Sequence, residues 1–119
     1  MATSRSGNYP GRSLAPGLSI GYFSVLLDSS GDPSTLTDPS GLVGVVTNVS
    51  EAAGTFTITL QDAWYQVMAI AVDNLDETVY YSQAFTAPST LVLERTTATA
   101  TIAAAASATV DVFCVCMGQ

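Results

Sequence analysis

Between residues 55 and 60 the chain alternates without a break. Phe56, Ile58 and Leu60 fall on one side and Thr55, Thr57 and Thr59 on the other. A period of two predicts a half-buried strand, with threonine on the wet face because its branched Cβ suits the pleat and its hydroxyl satisfies water. Gln61-Asp62-Ala63 interrupts the rhythm, and Trp64 opens a second apolar run that lasts to Val72. In that run Val67, Ala69 and Ala71 oppose Met68, Ile70 and Val72, so both faces read as covered. Trp64, the only tryptophan, is expected to close one end of a core rather than to stack on a ligand.

The same reading extends along the chain. A first strand is predicted from Ile20 to Leu27, with Phe23, Val25 and Leu27 on one face and Tyr22, Ser24 and Leu26 on the other. Residues 28–41, DSSGDPSTLTDPSG, are saturated with turn formers and predict a loop. Leu42 to Val49 reads as a second strand, and Ser50 to Gly54 as a hairpin connection into the Thr55 strand. After Val72, the acids from Asp73 to Glu77 are accounted for by an exposed turn. Thr78 to Thr86 is a further strand, stopped by Pro88, and another is predicted within Ser89 to Thr101, where Glu94 and Arg95 fall on opposite faces. Ala103 to Ala106 is too short to sustain a helix and reads as a connection. The last strand, Thr109 to Met117, sets Val110, Val112, Cys114 and Cys116 against Phe113, Val115 and Met117. About seven or eight strands with no amphipathic helix predict an all-β domain, an antiparallel β-sandwich or jelly-roll-like barrel over residues 20–119.

Residues 1–19 differ. They are rich in Ser, Gly, Pro and Arg, with Pro10-Gly11 and Pro16-Gly17 favouring extended or turn geometry. This stretch predicts either a free tail or an extended N-terminal arm that orders only against another subunit, through Arg5, Tyr9, Arg12 and Leu14.

Composition narrows the function. The chain has 119 residues, one domain's worth, with 48% apolar and 11% charged residues. Ten acids stand against three arginines, with no lysine and no histidine, for a net charge of -7. Such a chain repels nucleic acid, which needs a basic footprint to displace counterions, and disfavours an anionic membrane surface. A weakly charged, lysine-free surface is expected to be covered in part by protein partners. The start, MATSRSGNYPG, lacks the apolar segment of a secretory signal, which places synthesis in a cytoplasm.

Candidate chemistry is sparse. Without histidine or lysine, the usual general base near neutral pH and the usual Schiff-base nucleophile are missing. The acids of residues 28–41 invite a calcium loop, but such a loop needs more oxygen ligands at tighter spacing. Cys114 and Cys116 point the same way from one strand, too poorly oriented to bridge, and two thiols without histidine do not make a zinc site. Buried free thiols are expected. A carboxylate pair suffices for glycoside hydrolysis, yet these acids read as solvated turn residues. No catalytic residue, metal or cofactor is predicted.

One resemblance adds to this reading. The Gly-rich basic start and the AGTFTITL strand followed by an acid and an aromatic (Ala53 to Tyr65) open the pattern. An apolar strand, a hydrophilic turn and the closing pair LVLERT (Leu91 to Thr96) and ATVDVFCVCMG (Ala108 to Gly118) complete it. This layout resembles the head decoration, or cement, proteins of tailed bacteriophages. The resemblance implies a β-rich virion subunit without catalytic residues. It implies a subunit often assembled as a homotrimer, which binds the major capsid protein on the outside of the capsid. A phage tail or fibre-base protein and a non-viral ligand-binding β-domain are the alternatives.

Overall fold

The computed structural model describes residues 12–15 by their backbone and residues 17–74, 79–97 and 102–118 in full. Among the described residues nine strands follow in order: β1 (Arg12–Ala15), β2 (Leu18–Leu27), β3 (Pro33–Thr37), β4 (Val49–Ala52), β5 (Thr55–Thr59), β6 (Gln66–Asp73), β7 (Tyr80–Thr86), β8 (Thr90–Thr96) and β9 (Thr109–Met117). A single 3-10 turn, Val46–Asn48, precedes β4. The strands form two antiparallel sheets packed as a sandwich, as the alternation predicts. In the first sheet β9 lies between β2 and β6, while β1 and β3 both pair with the far edge of β2. The second sheet runs β4-β5-β8-β7.

Alternation places the core. Phe23, Val25 and Leu27 of β2 and Val110, Val112, Cys114 and Cys116 of β9 are buried between the sheets. They meet Phe56 and Ile58 of β5 and Leu91 and Leu93 of β8, which share one hydrophobic cluster with Trp64 and Val67. Each fully buried side chain of this size stabilises the fold by about 1.5–3 kcal/mol. Gly21 lies on the inner side of β2 because Leu42 packs over it: a Cβ there would stand 3.1 Å from Leu42 Cδ2. Trp64 is fully buried, the core anchor expected of it. Its amide donates to Pro88 O, and the Leu60 amide donates to Ser89 O, so the crossover from β5 to β6 is bonded to the β7–β8 turn.

The β4–β5 hairpin turns on Ala53 and Gly54, both left-handed at φ 52 and 89. That pair of positive angles suits the right-handed twist of the flanking strands. A Cβ on Gly54 would also run into the Ile102 carbonyl, so the position admits only glycine.

Expectations about the strands are corrected in three places. Residues 42–48 are not a strand, and the second predicted strand is displaced to β4, Val49–Ala52, inside the expected connection. The carboxylate of Asp38 accepts hydrogen bonds from the amides of Leu42 (3.0 Å), Val43 (2.7 Å) and Gly44 (2.8 Å), which bends the backbone around one side chain. Leu42 and Val43 are consequently both buried in succession instead of alternating. Conversely, residues 28–41 contain a strand. Pro33–Thr37 pairs with Ser24–Leu27, and its proline is tolerated because β3 lies at the sheet edge. The outer face of β6 is the third. Met68, Ile70 and Val72 are exposed, with Ile70 at 71%.

Residues 12–15, the described end of the predicted arm, pair with β2, setting Arg12 opposite Ile20. The β2 strand itself begins at Leu18, two residues before the predicted start.

Candidate protein-interaction surface

Sheet registers show what the outer face of the β2–β9–β6 sheet is made of. Ile20, Val115 and Met68 form one row across the three strands, and Tyr22, Phe113 and Ile70 the next. Leu18, Met117 and Gln66 lie at one end of these rows, and Ser24, Asp111 and Val72 at the other. Met68 is 58% exposed and Phe113 53%. Tyr22 and Phe113 bring their rings to 4.9 Å between centroids, tilted by 40°. The Tyr22 hydroxyl donates to Asp111 Oδ1 at 2.9 Å, a bond that occupies the one charged side chain on these three strands' outer positions. Beside Phe113 lies a cavity of about 240 Å³, bordered by Ile20, Met68, Ile70, Val115 and Gln83.

The other sheet gives the contrast. Its outer rows read Ser50, Thr57, Val92, Ala84 and then Ala52, Thr55, Glu94, Ser82, with Thr59, Thr90 and Thr86 beyond one end and Tyr80 and Thr96 beyond the other. This threonine-rich face suits water. The two outer faces have opposite character on one scaffold, one apolar and one rich in threonine.

Asp73, Arg95 and Tyr81 partner one another between the sheets. Asp73, expected in an exposed turn, is instead a buried side chain on β6, and Arg95 Nε of β8 donates to its Oδ2 at 2.8 Å. Tyr81 OH of β7 donates to the same oxygen at 3.0 Å, and Arg95 Nη1 donates to Ala103 O at 2.9 Å. Burial, then the Asp73 charge and hydrogen bond, push the Tyr81 hydroxyl above its usual range. Burial works against the Arg95 charge, but Asp73 outweighs it and holds the proton more firmly than usual. Asp28 accepts from the amides of Ser30 and Asp32, and Asp38 from the three amides given above, so both acids serve as turn caps. Among the described residues no three His, Cys, Asp or Glu side chains gather as a metal site would require. Cys114 and Cys116 are free and buried. Burial pushes Cys116 up to about 12, and burial with the Cys116 and Asp38 charges pushes Cys114 higher.

Of the residues assigned to the arm, Arg5 and Tyr9 lie outside the described residues, and Arg12 and Leu14 lie together on β1. The apolar face was not singled out from sequence. Its signal is the apolar alternation on both sides of β6, which reads as covered on both faces without saying by what. Comparison with protein-family models, with curated protein sequences and with solved structures found no match.

Proposed function

We propose that this chain is a non-enzymatic structural subunit of a phage virion. In this reading it decorates the outside of the capsid through contacts with the major capsid protein and with further copies of itself. The observation that supports this reading is the apolar outer face of the β2–β9–β6 sheet, set against a threonine-rich face on the other sheet. A freely dissolved β-domain has no use for Ile70 and Phe113 in water, whereas an assembled subunit buries them. The net charge of -7 favours protein partners over nucleic acid. The layout from Ala53 to Gly118 that resembles phage decoration proteins supplies the virion setting. A ligand-binding domain is the weaker reading, because the cavity of about 240 Å³ is smaller than the usual ligand pocket and lies on the apolar face itself.

The test is a mass-spectrometric inventory of purified particles from the virus that carries the gene. Presence at a fixed ratio to the major capsid protein is expected, with Ile70→Asp reducing incorporation. Absence from particles overturns the reading.

A further inference from the structure

We infer that residues 1–11 fold back as a strap over the outer face of the β2–β9–β6 sheet, with Tyr9 in its hollow and Arg5 beside Asp111. The inference goes beyond the virion reading: it concerns the isolated chain, and a capsid contact on this face would displace the strap.

The path of the chain is the first argument. Arg12 lies opposite Ile20, and because β1 is antiparallel to β2 the residues before it head along β2 toward Tyr22. That edge is already occupied. Ser40 Oγ accepts from the Tyr22 amide at 3.3 Å and donates to Tyr22 O at 3.1 Å, and from Ser24 onward β3 holds the edge. On the inner side Leu42 and Ser40 pack over Gly21. Strand β1 therefore cannot be prolonged, and Pro10-Gly11, directly before Arg12, suits a turn out of the sheet. The protein surface left beside that turn is the outer face.

Room and reach are the second. The hollow of about 240 Å³ is bordered by Ile20, on the row beside Arg12, and by Met68, Ile70, Phe113 and Val115. It has room for one aromatic ring, and Tyr9 is three residues from Arg12, within about 10 Å of chain. Asp111 stands opposite Ser24, four residues along β2 from Ile20, or about 14 Å. Arg5, seven residues before Arg12, extends to about 24 Å and reaches it.

Charge is the third. Residues 1–11 carry Arg5 and no acid, and all ten acids lie beyond them. Asp111 is the one charged residue on the outer positions of β2, β9 and β6. A positive arm is drawn to the body of a chain whose net charge is -7, whereas a second copy is repelled. The tether at Arg12 adds to this. It holds the arm at an effective concentration of the order of millimolar, so a contact too weak for a separate partner suffices.

A nitroxide on the Ser4→Cys variant of the full chain tests the strap, through the broadening it causes at backbone amides in nuclear magnetic resonance. Cys114 and Cys116 are buried, which directs the label to the new thiol. Strong broadening is expected at Ile70, Phe113 and Val115, falling away at Thr57 and Thr90 on the other sheet. Tyr9→Ser should lower the docked-to-free ratio about 10-fold, read as weaker broadening at the same amides. Asn8→Ser should leave it as it was. Broadening confined to residues beside Arg12 overturns the inference, because an undocked tail gives that pattern. So does broadening in chains without the nitroxide when they are mixed with labelled ones, since the arm then docks on another copy. A Tyr9→Ser arm that docks as before overturns it too. Particle attachment is scored separately. A chain that attaches without a docked arm overturns the strap and leaves the structural-subunit reading standing, and a docked arm on a chain absent from particles does the reverse.

Discussion

Arg95 on β8 and Asp73 on β6 form a buried ion pair, Nε to Oδ2 at 2.8 Å, that ties the edge of one sheet to the other. Tyr81 adds its hydroxyl to the same carboxylate oxygen. Removing one partner leaves a buried charge without its counterpart, which costs far more than the pair contributes net. Asp73→Ala should therefore destabilise the chain by about 3–5 kcal/mol in urea unfolding. Asp73→Leu with Arg95→Met should recover most of that loss. Equal stability of Asp73→Ala and wild type would show that the pair is solvated.

The core register gives a second prediction. Ile58 is 1% exposed on β5, and Thr57 faces outward beside Val92. Ile58→Asp buries an unpaired charge and should cost about 4 kcal/mol or more, whereas Thr57→Asp should stay within about 0.5 kcal/mol. Thermal melts of the two variants side by side measure the difference. Similar melting temperatures would mean the register is wrong.

These two sites divide what was legible in the sequence from what was not. Strands β2, β5 and β9 were visible because each shows a clean period of two, and β5 carries threonine on its wet face. Strand β3 was hidden by its composition: Pro33, Ser34 and Thr35 look like turn residues, and only pairing with β2 makes them a strand. Leu42 and Val43 misled in the opposite direction, since the carboxylate that bends their backbone belongs to Asp38, four and five residues away. Asp73 read as a turn acid because its partner lies 22 residues along the chain, on another sheet. The apolar face is the sharpest case. Alternation shows that both sides of β6 are apolar, and no local pattern says whether the cover comes from the same chain or another.

Asp38 offers a third prediction. One carboxylate satisfies three consecutive amides, Leu42 through Oδ1 and Val43 and Gly44 through Oδ2. Asp38→Ala leaves those donors without their acceptor and should cost about 2–4 kcal/mol, whereas Asp38→Asn keeps one acceptor oxygen and should cost about half as much. Hydrogen exchange at the three amides locates the effect. Unchanged protection in Asp38→Ala would show that the loop holds itself.

The last prediction concerns pH. Cys114 and Cys116 face the core, and burial raises both thiols, Cys116 to about 12 and Cys114 beyond it. In the unfolded chain a thiol ionises near its ordinary value of about 8.5. Above that pH the unfolded state sheds protons that the folded state still holds, so stability must fall as pH rises. The contribution is fully present below about pH 8.5 and is lost on the way to about 12, at up to about 1.4 kcal/mol per pH unit for each thiol. Tyr81, also raised, contributes in the same direction once pH exceeds the ordinary tyrosine value of about 10. Urea unfolding between pH 7 and pH 10 should therefore show a declining free energy. Cys114→Ala with Cys116→Ala should flatten the decline below about pH 10, and Tyr81→Phe should leave that part unchanged. The same burial predicts slow labelling of both thiols by a thiol reagent in the native state and rapid labelling after denaturation. A double-alanine variant with the wild-type pH dependence would place the alkaline sensitivity elsewhere, and fast native labelling would place the thiols in contact with solvent.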